Sequence, residues 1–138
     1  MHKIFRIAAA VPVLKVGNPR YNAEQISELY HQARQHGASI VVMPELSLTG
    51  YSCGDLFEQK TLLDEAKNAL QLLCKTTSSQ DTILIAGLPF EVNSRLFNTA
   101  AVMQNGRLCA LAGKTFLPEY REFYEKRHFR SIREYDGH

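Results

Sequence analysis

Two residues stand where their side chains could do chemistry. Glu45 follows the short apolar run Val41-Val42-Met43-Pro44, and Lys114 follows Gly113 at the end of a second such run, Arg107 to Ala112. Open α/β sheets build their sites at the carboxyl ends of strands. A carboxylate near a lysine can act as a general base while the ammonium stabilises a developing oxyanion. Desolvation at the end of a buried strand strengthens both effects. A plainer reading, two unrelated solvated charges, is open on spacing alone, because acids and lysines after strands are common. The chain holds three cysteines, Cys53, Cys74 and Cys109. The odd count without a CxxC spacing argues against a disulfide framework and against a zinc site, so no metal is expected. Cys53 lies in the loop after Glu45, where partial exposure and the Lys114 charge could activate a thiolate. Cys74 and Cys109 read as small core hydrophobes on a helix stripe and inside a strand.

The elements that must position these groups follow from periodicity. Ile4 to Leu14 is rich in Ala and Val and predicts a buried strand, broken at Gly17-Asn18-Pro19. Asn22 with Gln25 suggests a capping box. Ile26, Leu29, Tyr30 and Ala33 continue at helical spacing to a stop at Gly37. Ala38 to Met43 predicts a second buried strand, parallel to the first across a βαβ unit. Gly54 to Phe57 turns onto a second helix, whose stripe is Leu62, Ala66, Ala69, Leu70 and Leu73. Thr82 to Leu88 is evenly apolar, which predicts a third strand covered on both faces. Phe90 to Val92 and Leu96 to Gln104 then form a hairpin around Asn93-Ser94. Asn105-Gly106 predicts a type I′ turn into a return strand. The order is β-α-β-α followed by a β meander: an α/β fold with a mixed sheet and two main helices on one face.

Bulk properties bound the rest. The 138 residues fit one domain, with 45% hydrophobic and 22% charged residues as in an ordinary globular protein. A net charge of +2 gives no reason to expect nucleic acid or an anionic membrane as partner. No apolar run approaches the roughly 20 residues that span a bilayer. The N-terminus lacks the pattern of a secretory signal, so a cytoplasmic setting is expected.

Several motifs go beyond this reading. Val42-Met43-Pro44-Glu45 with Leu48-Thr49-Gly50-Tyr51 resembles the glutamate motif of the carbon–nitrogen hydrolase (nitrilase) superfamily. Gly113-Lys114 with Phe116-Leu117-Pro118 resembles its lysine motif, and Phe97-Asn98-Thr99-Ala100 with the Asn105-Gly106 turn is similar to its meander. Ser52-Cys53-Gly54-Asp55-Leu56, and above all Leu117 to Arg127 (LPEYREFYEKR), are similar to the glutaminase domain of glutamine-dependent NAD⁺ synthetases.

The resemblance implies residues 1–138 to be the N-terminal part of such a domain, a partial α-β-β-α sandwich. It implies glutamine as substrate, Glu45 as general base and Lys114 as oxyanion stabiliser, with Tyr51, Tyr120 and Phe123 near the substrate. In the family a cysteine nucleophile follows the lysine on a later elbow, and no cysteine follows Lys114 here. These residues alone are therefore expected to be catalytically incomplete. No glycine-rich phosphate loop is present, so ATP and Mg²⁺ are expected in a synthetase domain that these residues do not include, and no cofactor is expected here. Half a sandwich would leave an apolar sheet face and strand edges open, which predicts a homo-oligomer or another chain as partner. The alternatives are a truncated free-standing nitrilase-type amidase, or a non-catalytic binding or scaffold module derived from one.

Overall fold

The computed structural model describes residues 4–137. Its elements run β1 (Ile7–Ala9), α1 (Pro19–Gln35), β2 (Ile40–Val42), α2 (Lys60–Thr76), β3 (Ile83–Val92), β4 (Arg95–Gln104) and β5 (Arg107–Gly113). Short 3₁₀ turns cover Gly54–Glu58, Glu125–Arg127 and Ile132–Glu134. The five strands form one sheet in sequence order. β1, β2 and β3 are parallel, while β3, β4 and β5 are antiparallel. The β-α-β-α-meander order is thus as the sequence predicts.

The sheet is apolar on both faces, but the helices cover only one. Val41, Leu84, Leu88, Ala101 and Met103 are fully buried with Ile26, Tyr30 and Leu73 from the two helices. The tightness of this layer is reinforced by Tyr30, whose hydroxyl donates to the Thr82 carbonyl at 2.7 Å. On the opposite face the register lines up Ala9, Val42, Ile85 and Val102 in one row. None of those four is buried. The evenly apolar β3 therefore does not have two covered faces within the described residues.

Other local expectations shift for identifiable reasons. The first strand shrinks to three residues, because only Ile7 to Ala9 pair with β2. Ile4, Val11 and Val13 beside it are exposed. The first helix starts earlier than Asn22: Asn18 is its N-cap, accepting from the Tyr21 amide, and Pro19 fills the first turn, where a missing N–H costs nothing. Asn22 is buried inside the helix instead and clamps the preceding loop. Its side chain donates to the carbonyls of Lys15 and Leu48 and accepts from the Lys15 amide. The third strand and the first hairpin arm are one continuous strand through Pro89. The Gly87 amide points toward the Glu45 loop, so the nitrogen of Pro89, two residues on, points the same way, beyond the end of β2, where no ladder bond is lost. Both hairpin turns have positive φ at their central residues, Asn93-Ser94 and Asn105-Gly106, as type I′ requires.

Candidate active site

Glu45 sits on a backbone elbow immediately after β2. The next residue, Leu46, is fully buried and has φ of 51°. A left-handed leucine costs about 1 kcal/mol or more and persists only where its surroundings fix it. Here they do. The Leu46 carbonyl accepts from the Thr49 and Gly50 amides at 3.1 and 2.7 Å. The Leu48 amide donates to the Gly87 carbonyl at 3.0 Å, and the Gly87 amide donates to Ser47 Oγ at 3.2 Å. Gly87 is required for this approach, because a Cβ there would lie 2.3 Å from the Leu46 nitrogen and 3.0 Å from the Glu45 carbonyl carbon. The elbow is thus pressed directly against β3.

Lys114 is placed by the meander. Its amide donates to the Asn98 carbonyl at 2.8 Å, extending the β4–β5 ladder by one residue, and its carbonyl accepts from the Ile132 amide at 3.0 Å. The side chain reaches across β4. Lys114 Nζ donates to Glu45 Oε1 at 2.7 Å and to Glu125 Oε1 at 3.0 Å. Asn98 Nδ2 donates to the same Glu45 oxygen at 2.5 Å. Glu45 and Lys114, the two residues that the sequence singles out, are therefore in direct contact.

Glu125 is the residue that sequence reasoning misses. It is 6% exposed, and its Oε1 also accepts from the Tyr51 hydroxyl at 2.8 Å. Its backbone is anchored by the Pro118 carbonyl and by return bonds from the His128 and Phe129 amides. In sequence Glu125 is one of several charges from Glu119 to Arg127, where a solvated face is the ordinary expectation. The signal that could find it is its place beside Phe123 and Tyr124 in the long motif after Lys114. Asn98 stands out in sequence only as a member of the Phe97-Asn98-Thr99-Ala100 motif, with no role attached to it.

The predicted aromatic residues cluster. The rings of Tyr51 and Phe123 lie 6.4 Å apart and those of Tyr120 and Phe123 5.5 Å apart, both edge-to-face. Tyr51 and Phe123 line a cavity of about 270 Å³ together with Phe57 and Glu125. Glu45, Asn98 and Lys114 line another, also about 270 Å³, whose floor is the open sheet face at Val42 and Ile85. Glu125 joins the two, since it lines the first and bonds the lysine of the second.

Cys53 does not have the exposure expected of it. It is 5% exposed, and its Sγ donates to the Thr49 carbonyl at 3.2 Å. Burial pushes its thiol up, away from thiolate. Cys109, expected in the core, is exposed on β5, and Cys74 is half-buried on α2. The reason for Cys109 is that β5 is the last strand of the sheet, and its residues 107–110 are all exposed.

The electrostatics favour a charged lysine. Burial pulls Lys114 down, but the bonds and charges of Glu45 and Glu125 more than offset it, so its net shift is upward. Tyr51 is also pushed up, by burial and then by its bond to Glu125, which holds it as a neutral donor. The arrangement is a carboxylate with an ammonium fixed beside it, the ammonium in turn held by a buried second carboxylate. It can accept a proton at Glu45 and present positive charge to an oxyanion.

The family model for carbon–nitrogen hydrolases matches residues 6–137, and the chain belongs to that family. Among curated relatives, the glutamine-dependent NAD⁺ synthetase of Mycobacterium tuberculosis is 36% identical over 126 residues, which is 91% of this chain and 19% of that protein. The enzyme of the same name from Aquifex aeolicus is 35% identical over 115 residues, 83% of this chain and 20% of that protein. The chain thus spans about a fifth of the length of these relatives. Of solved structures, the glutamine-dependent NAD⁺ synthetase of Acinetobacter baumannii superposes with a TM-score of 0.85 at 30% identity, covering 92% of this chain and 24% of that one. An amidase from Nesterenkonia shares the fold at a TM-score of 0.74 and 23% identity, covering 92% of this chain and 48% of that one. No helix among the described residues is long and apolar enough to cross a membrane.

Proposed function

We propose that this chain supplies the acid–base half of a glutamine-hydrolysing site in a glutamine-dependent NAD⁺ synthetase. The observation that carries the reading is Lys114 bridging Glu45 and Glu125 at 2.7 and 3.0 Å. Identity of 36% to a protein of that name over 91% of the chain supports the substrate class. In this reading Glu45 takes the proton of a cysteine thiol as the sulfur attacks the amide carbon of glutamine. Lys114 stabilises the oxyanion that forms. The C–N bond then breaks, the proton passes from Glu45 to the leaving nitrogen, and ammonia departs from a thioester. Water hydrolyses the thioester to glutamate and frees the thiol. Glu125 keeps Lys114 charged and aimed, and Tyr51, Tyr120 and Phe123 form the aromatic side of the substrate pocket.

The attacking thiol comes from outside these 138 residues. Cys53 is buried, bonded to the Thr49 carbonyl and held as a thiol. The ammonia would serve ATP-dependent amidation of deamido-NAD⁺ in the cytoplasm. The residues here hold no phosphate loop to fit ATP and Mg²⁺, which belong to another part of such a synthetase. The open apolar face at Val42 and Ile85 is where further chain, or a second copy, would complete the sandwich.

A chimera tests this. The corresponding segment of the M. tuberculosis enzyme is replaced by this chain, and NAD⁺ formation is followed with glutamine or with ammonium salt as nitrogen source. The expected result is glutamine-dependent synthesis that Glu45→Gln lowers by at least about a hundredfold while ammonium-dependent synthesis persists. Equal glutamine use by the Glu45→Gln chimera would contradict the assignment.

A further inference from the structure

Away from Glu45, the side chain of His128 is buried and finds no hydrogen-bond partner among the described residues. That side chain is 5% exposed, and both ring nitrogens lack a hydrogen-bond partner among the described residues. The rings of Phe57, Tyr124 and Phe129 surround it at centroid distances of 5.7, 6.3 and 6.5 Å. A neutral imidazole carries one N–H donor and one acceptor, and leaving a buried polar group unpaired costs about 1–3 kcal/mol. Such a group calls for an ordered water or an ion, and the side chains beside it decide which.

Two carboxylates stand beside it. Asp55 and Glu58 are three residues apart on the 3₁₀ turn Gly54–Glu58, where side chains at that spacing eclipse. One donor atom from each of Asp55, Glu58 and His128 lies within 4.8 Å of the others. His128 Nδ1 is 3.8 Å from Glu58 Oε1. That is too long for a hydrogen bond. It is close to the roughly 3.5 Å that separates two ligands of one tetrahedral ion at about 2.1 Å from each.

From this we propose that Asp55, Glu58 and His128 form a site for one divalent transition-metal ion of the zinc class. An imidazole with two carboxylates, and water in the fourth position, suits Zn²⁺. The all-oxygen preference of Ca²⁺ and Mg²⁺ disfavours them. His128 is fixed by its aromatic neighbours, while Asp55 and Glu58 are exposed and can close the remaining distance. Arg127 Nη2 sits 3.0 Å from Asp55 Oδ1, and the ion takes its place. The consequence is structural. The Gly54–Glu58 turn follows the Tyr51 loop, and His128 lies three residues after Glu125. A bound ion therefore staples together the two segments that meet in the Tyr51–Glu125 hydrogen bond.

The test is a Zn²⁺ titration of the 138-residue chain, followed by the imidazole ¹⁵N–¹H correlations, which separate His128 from the other histidines and from binding at thiols. The His128 ring signals are expected to shift saturably at one equivalent, with a rise in Tm. Glu58→Gln and Asp55→Asn, both at exposed positions, are expected to keep the fold and weaken Zn²⁺ binding at least about tenfold. His128 signals unmoved by excess Zn²⁺ would overturn the site. So would wild-type affinity for Zn²⁺ in both carboxylate variants.

Discussion

The two segments that bring carboxylates to Lys114 are built differently. Glu45 rides on an elbow fixed by backbone: a left-handed, buried Leu46, three amide bonds to its neighbours and a glycine that lets β3 touch it. Glu125 rides on the aromatic segment from Thr115 to Tyr135, which crosses the surface with short 3₁₀ turns and exposed Phe116, Tyr120 and Tyr124. Glu45 itself is the more exposed acid, its side chain 42% accessible against 5% for Glu125. So the elbow presents an accessible carboxylate, and the aromatic segment hides one. A base must meet substrate, whereas the group that holds a lysine need not. That division fits the roles proposed for the two acids.

The largest effect of a single substitution is expected at the elbow. Gly87→Ala forces a Cβ against main-chain atoms of Leu46 and Glu45, which cannot rotate away. The expected cost is at the top of the overpacking range, about 3 kcal/mol or more by urea unfolding, and Glu45 is expected to swing out of reach of Lys114. A cost under about 1 kcal/mol would mean that the elbow yields.

A smaller effect is expected at the buried acid. Glu125→Gln keeps a side chain that can accept from Tyr51 but removes the charge that helps hold Lys114 up, at about 1–3 kcal/mol. It also changes the alkaline limb. Lys114 is raised in the fold, so the stability it contributes is complete below its ordinary value near 10.5 and is lost as pH rises through the folded value. Tyr51, also raised, holds its proton in the fold and loses stability in the same direction once pH passes about 10. Stability measured from pH 8 to 11 should therefore fall more steeply in the wild type than in Glu125→Gln. Parallel profiles would count against the coupling. The smallest effect is expected at the loop tip, where Tyr120 is 64% exposed, and Tyr120→Ala should cost within about 0.5 kcal/mol.

The same contrast decides what could be read from sequence. Elements made by periodicity and turn chemistry are legible: both helices, the meander with its type I′ turn at Asn105-Gly106, and the strand ends that carry Glu45 and Lys114. Interactions made by tertiary clasping are not. Asn22 has the chemistry of a cap but lies four residues too far along to serve as one, and instead ties α1 to the Glu45 loop through Leu48. Gly87 looks like any glycine in a strand until the elbow is seen against it. Glu125 meets Tyr51 across 74 residues, and nothing in its charged neighbourhood marks it as buried. Cys109 sits in an apolar run but on an end strand, where the alternation that buries a residue is lost.

Glu45, Lys114 and Glu125 form one hydrogen-bonded unit centred on the lysine. Its most direct test is an NMR titration of Lys114 Nζ in the wild-type chain, in Glu45→Gln and in Glu125→Gln. Lys114 is expected to titrate above the ordinary lysine value in the wild type and to shift downward in each variant. A Lys114 that titrates like a surface lysine in all three proteins would contradict it.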